Sequence, residues 1–256
     1  TGPTGASGLA GTYIYGLQIS NSTSDATNDI VIATGQARSS DNTTDMVLAS
    51  SLTKQLDALW AVGTNQGGRD TGSIADGLWA VWLIERTDTG VVDALFSTSF
   101  SSPTMPTNYD KKRLIGAIRR ASSTIIPFSQ SGDQFFYSPA SAFYDLNNTS
   151  SSVNWTSVTT SVPPYCVGRF GFEASSSTNC GPSYYGGQVR MTGFTVASGW
   201  PFEINISANG TATFELKVNG SRQIDVQGNL SGGNYWNTSL RTISFTMYTR
   251  SDPSFT

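Results

Sequence analysis

The chain has 256 residues, only 13% of them charged, with 15 basic side chains against 18 acidic ones and no histidine. A net charge of −3 offers no basic field for neutralising nucleic-acid phosphates, and no apolar run approaches the roughly 20 residues of a membrane-spanning helix. No nucleic-acid partner and no membrane insertion are therefore expected; the Ser, Thr, Asn and Gly content suits one large or two smaller β domains with a real core.

Glycine occupies every third position at the start, at Gly2, Gly5, Gly8 and Gly11, with Pro3, Thr4, Ala6, Ser7, Leu9 and Ala10 between them. This is the collagen pattern, which stabilises nothing in a lone chain because only glycine fits where three polyproline-II strands meet. It predicts a parallel homotrimer, with residues 1–12 as the end of a stalk; a flexible Gly/Ser/Thr leader is the alternative.

Tyr13, Tyr15, Leu17 and Ile19 then alternate with Ile14, Gly16, Gln18 and Ser20, the period of a strand with one buried face. Short apolar strands are expected around Ile30–Ile32 and Met46–Leu48. Leu52, Leu56 and Leu59 recur at i, i+4 and i+7 after Ser50 and Ser51, which predicts one short helix with Lys54 and Asp57 facing outward. Residues 63–77 read as turns. Residues 78–86 and 91–97 form a hairpin across Thr87-Asp88-Thr89-Gly90, and their unbroken apolarity implies burial on both faces. Strands follow at 113–119, 124–129 and 134–137. The Ser/Asn-rich interval from Pro139 to Ser152, with Pro163-Pro164 beyond it, marks a boundary or long loop. Further strands are expected at 189–197, 202–207, 211–218, 222–226 and 243–248. Asn219-Gly220 supplies residues that a two-residue hairpin turn favours. Many short strands predict a mainly β protein of sandwich or jelly-roll-like domains, here intertwined in a trimeric fibre.

The absence of histidine removes Ser-His-Asp and Cys-His arrangements and histidine-based metal sites together. Cys166 and Cys180 are not in CxxC spacing and read as buried thiols. No phosphate-cradling glycine motif is present, so neither cofactor nor metal is expected. Catalysis by paired carboxylates remains open, as in glycosidases, and Glu85, Glu173, Glu203 and Glu215 are all the glutamates available for it. The cluster Lys111, Lys112, Arg113, Arg119 and Arg120 could meet acidic glycans or phosphate, but a solvated strand edge guarded by cations is the preferred reading.

Two stretches, Leu52 to Ser73 and Pro106 to Arg119, the latter followed by Ile126-Pro127-Phe128-Ser129-Gln130 and Gly132-Asp133, resemble segments of tail fibres and host-range proteins of tailed bacteriophages. The resemblance covers about residues 13–140. It implies a virion protein acting outside the cell, a trimer joined to the remainder of the phage tail, whose C-terminal domains touch the host surface. It brings no catalytic residues, and no enzyme is expected. On that basis residues 13–140 form a fibre-like β domain and 141–256 the receptor-binding tip. Aromatic faces stack on sugar C–H patches while Asn, Ser and Arg bond to hydroxyls. Trp155, Tyr165, Tyr184, Tyr185, Arg190, Trp200, Tyr235 and Trp236 are accordingly the candidate contacts to a bacterial surface glycan of capsule or lipopolysaccharide. The competing expectation is a structural cap that registers the collagen-like stalk, with capsule depolymerisation a further alternative.

Overall fold

The computed structural model describes residues 11–138, 144–150, 156–176, 187–191, 210–228 and 236–247, and among them every helix or strand element is a strand. The chain divides into two compact units, residues 1–135 with 247–256, and residues 136–246.

In the first unit the strands are β1 (Ile14–Gly16), β2 (Ile19–Asn21), β3 (Asp29–Ile32), β4 (Gly35–Arg38), β5 (Asp45–Leu48), β6 (Leu52–Leu59), β7 (Gln66–Arg69), β8 (Gly77–Arg86), β9 (Val91–Ser97), β10 (Lys111–Ala121), β11 (Thr124–Ile125) and β12 (Phe128–Ser131), with β13 (Gln134–Tyr137) at its boundary. Eight of them form one sheet in the order β11-β10-β8-β9-β7-β6-β3-β2, and β1-β4-β5 form a smaller one. The large sheet curls until its ends approach. Ile125 N donates to Thr27 O at 2.8 Å, and a Cβ on Gly116 of β10 would lie 2.3 Å from Ile19 Cδ1 of β2. The result is a nearly closed barrel filled by Ile19, Ile30, Ile32, Leu56, Leu83, Phe96, Ile115 and Phe135.

The expected hairpin is present: β8 and β9 pair from Ala80↔Ser97 to Arg86↔Val91, and all but the end residues of β8 are buried. The expected helix is not. Residues 52–59 are strand β6, with Leu52, Lys54 and Leu56 buried and Leu59 exposed. A spacing of i, i+4 satisfies a period of two as well as one of 3.6, whereas i+7 reverses the face of a strand. Leu59 therefore turns outward, and Lys54, expected in solvent, lies inside. The turn-rich stretch 63–77 also contains a strand. Gly67 and Gly68 of β7 let its parallel neighbours close in: a Cβ on Gly67 would stand 1.9 Å from Leu59 O, and one on Gly68 2.6 Å from Phe96 Cδ2.

The second unit holds β14 (Leu146–Ser150), β15 (Thr156–Thr159), β16 (Val167–Ser176), β17 (Gly187–Met191), β18 (Gly210–Lys217), β19 (Gln223–Gly228) and β20 (Trp236–Thr246). β16 lies between β18 and β20, with β14 beside β20, and β15-β19-β17 form a second sheet. Phe170, Phe172, Leu240 and Phe245 from the first sheet and Val158, Ile224 and Val226 from the second are buried, the pattern of a sandwich core. Asn219-Gly220 does not close a hairpin: β18 and β19 belong to different sheets, so the turn is a corner between layers. Cys166 is buried, and Cys180 lies outside the described residues.

Candidate functional site

Of the candidate glycan contacts, Tyr165 is the one whose side chain is described. Trp155, Tyr184, Tyr185, Trp200 and Tyr235 lie outside the described residues, as do Gly2, Gly5 and Gly8 of the repeat and the strand expected at 202–207. Arg190 falls on β17 and Trp236 opens β20, with both side chains outside the description.

Tyr165 sits on a corner built by two loops. The backbone turns at Pro163-Pro164, where Cys166 N donates to Pro163 O at 3.2 Å, and Ser161, Val162 and Pro163 are buried beneath it. Across from it runs the inter-sheet turn 218–222. Val218 N donates to Cys166 O (3.0 Å), Arg222 N to Asn219 O (2.9 Å), and Gln223 N to the Asn219 side-chain oxygen (2.8 Å). Tyr165 and Arg222 both hold left-handed backbone conformations, with φ of 60° and 61°. Non-glycine residues persist there only when the surroundings over-determine them, at a cost of about 1 kcal/mol or more each. Pro164 before Tyr165 and the hydrogen-bonded turn after Asn219 supply that constraint.

The side chain is 51% exposed, while its phenol end rests on Gly220, where an added Cβ would lie 2.4 Å from Tyr165 Oη. The phenol end thus rests on the turn while about half of the residue is open to solvent, with exposed Ser221 and half-buried Asn219 and Arg222 nearby in sequence. A rigid aromatic face flanked by hydroxyl, amide and guanidinium groups can stack on a sugar ring and bond to its hydroxyls with little ordering cost.

The basic cluster resolves differently from expectation. β10 pairs with β8 from Lys111 to Arg120 but with the two-residue β11 only at Arg120 and Ala121, so most of the strand is the edge that was expected; the departure is that its cations are not left to solvent. Its cations are engaged within the protein: Lys111 Nζ with Asp41 (2.7 Å), Arg120 with Asp76 (2.7 Å), Lys112 Nζ with Ser101 O (2.9 Å) and over the Trp82 ring, and buried Arg113 with Gly11 O (2.9 Å). Burial alone would raise the Asp41 carboxyl, but hydrogen bonds from Lys111, Ser39 and Thr43 more than reverse it. Lys111 is held above its ordinary value chiefly by the same bond to Asp41. An array so neutralised is poorly suited to capturing an external polyanion.

The glutamates divide by position. Glu173 and Glu215 are both exposed on one face of the β16–β18 pair, but Arg169 faces Glu215 and Thr211 faces Glu173. Four residues of strand, about 13 Å, separate them, beyond the 5 to 10 Å of a glycosidase pair. Glu85 is buried opposite Lys111, its carboxyl pushed up by burial and by Asp110. Glu203 lies outside the described residues. Among the described residues no three metal-ligating side chains gather into a site.

A buried ion pair in the first unit has no signature in the spacing of residues along the chain. Lys54 is fully buried on β6, and its Nζ meets Asp93 of β9 at 3.1 Å, with Asp93 only 1% exposed. Nζ also donates to Ala61 O at 2.7 Å and Gly63 O at 3.3 Å, which gives three acceptors for three N–H bonds. Asp93 in turn accepts from Gly63 N (2.7 Å) and Ala94 N (2.6 Å). The Trp60 ring stands 5.4 Å from Nζ, donates through Nε1 to Ala94 O, and meets Tyr109 edge-on. Burial pulls the lysine below its ordinary pKa while Asp93 pulls it back. The pair pins the loop 60–65, which presents Val62 to solvent beside the exposed Leu59 at the end of β6.

No protein-family model matches the chain, and no curated protein does. Among solved structures it is similar to a chain in a structure of infectious bursal disease virus, Gx strain, at 10% identity and a TM-score of 0.28, over 90% of this chain and 70% of that one. A likeness at that level carries no argument about function.

Proposed function

We propose that this chain is the receptor-binding part of a phage tail fibre, acting as a homotrimer on the virion and binding a glycan of the bacterial envelope without cleaving it. The observation that carries the reading is the Tyr165 corner, an aromatic ring held by a strained, hydrogen-bonded turn yet half open to solvent. The wide separation of Glu173 and Glu215 supports binding over hydrolysis. Soluble protein is expected to compete with phage for adsorption to host cells. Tyr165→Ala should weaken that competition roughly tenfold while leaving thermal unfolding nearly unchanged, because the lost ring contact is to ligand rather than to core. Equal competition by the variant would overturn the assignment of Tyr165, and a protein that never touches cells would overturn the receptor reading. New reducing ends on incubation with capsule would establish the depolymerase instead. A second reading, a cap that registers a collagen-like stalk, is favoured by Arg113, whose guanidinium holds the Gly11 carbonyl where the repeat enters the domain.

A further inference from the structure

The small sheet β1-β4-β5 has one buried and one open face. Ala37 and Met46, paired in register, point inward and are fully buried. One residue along, Tyr15, Gln36 and Val47 are directly opposite one another across the three strands and point outward. Tyr15 is 68% exposed and Val47 51%, so the row leaves an aromatic ring and a branched aliphatic side chain in water with only an amide between them. Tyr13 extends the row, its hydroxyl accepting from Gln36 Nε2 at 3.1 Å.

Two features identify what covers this face. The first is its distance from the glycine repeat. Tyr15 is four residues on from Gly11, and an extended chain covers at most about 14 Å in that interval. Arg113 donates to Gly11 O and fixes where the repeat meets the sheet. If three copies share an axis at Gly11, the three Tyr15 side chains are brought within reach of that same axis. The second feature is charge. Identical faces meeting around an axis set like charges against each other, and this face carries none unpaired. Arg38, its cation, is engaged by Asp45 at 2.8 Å and by Asn42.

We infer that the Tyr15–Gln36–Val47 row is a self-association surface, and that its occupant is the same face of a second and third copy of this chain. The inference rests on the trimeric part of the proposed function and adds which side chains make the contact.

The test is sedimentation velocity on the full chain at micromolar dilution, comparing wild type, Tyr15→Ser/Val47→Ser, and the control Leu59→Ser/Val62→Ser. The control removes apolar side chains of similar exposure from the end of β6 and the loop after it. A trimeric wild type, a trimeric control, and a double variant whose dissociation concentration rises on the order of tenfold per side chain lost would support the face. A double variant as trimeric as wild type overturns the face and leaves the trimer standing. Dissociation of the control to the same extent overturns it too. A monomeric wild type overturns the trimer and, with it, this contact. If the double variant does not fold, Tyr15→Cys treated with a short bismaleimide decides the matter. Reduction-resistant dimers, the most that one introduced thiol per chain can give, support the face when wild type treated alike gives none, and their absence in a sample that sediments as trimer overturns it.

Discussion

Removing Asp93 should be among the most damaging single changes available in the first unit. In Asp93→Ala the Lys54 ammonium stays buried with two carbonyl partners instead of three acceptors, and Gly63 N and Ala94 N lose the carboxylate they donate to. Deleting one member of a buried ion pair costs about 3–5 kcal/mol, because the remaining charge is uncompensated. For a chain of this size about 1 kcal/mol corresponds to roughly 2–4 °C, so the melting temperature should fall by about 6–20 °C. Lys54→Met leaves the opposite charge stranded and should cost a similar amount. The double variant Lys54→Met/Asp93→Ala removes both charges together and should lose about 2 kcal/mol or more less than the sum of the two singles. Urea unfolding followed by tryptophan fluorescence reads all four corners of the cycle, with Trp60 beside the pair as the reporter. A cost below about 1 kcal/mol for Asp93→Ala, or a coupling indistinguishable from zero, would refute the claim that this pair holds the 60–65 loop.

Burial and the nearby Asp25 and Asp57 carboxyls push Asp29 from 3.8 up to about 6, against a hydrogen bond from Gln55 that lowers it. Between those values the folded chain holds a proton that the unfolded chain releases, so this group's contribution to stability falls as pH rises from about 4 to 6. Asp29→Asn should flatten that slope and stabilise the protein at pH 7 by at most about 3 kcal/mol; an unchanged profile in denaturant titrations would count against it. Gly67→Ala sets a Cβ against Leu59 O, and forcing β6 and β7 apart should cost about 1–3 kcal/mol by the same titration, with no loss expected only if the contact is absent.

Several features were legible because they are local. The unbroken apolar run at Leu78–Ile84 could bury both faces only inside a sheet, and Thr87–Gly90 could only reverse the chain. Thr211, Thr213, Glu215 and Lys217 alternate with Ala212, Phe214 and Leu216 along β18, and the polar set is the exposed one. The helix expected at Leu52–Leu59 failed because two leucines four apart fit either period, and only the exposed Leu59 separates them. Asn219-Gly220 was recognisable as a turn, but not as a corner, since the partner of β19 is decided by strands distant in sequence. Of the candidate site, Tyr165 was legible as an aromatic beside prolines; Gly220, against which it rests, was not.

Composition and short-range periodicity thus determined the β class, most strand positions and the lack of histidine chemistry, because each depends on residues within about ten of one another. The burial of Lys54, the internal partners of Lys111 and Arg120 and the open row at Tyr15, Gln36 and Val47 were decided by tertiary structure alone. A charge is tolerated inside only when its partner arrives, and Asp93 reaches Lys54 through the order of strands in the sheet rather than through any spacing along the chain.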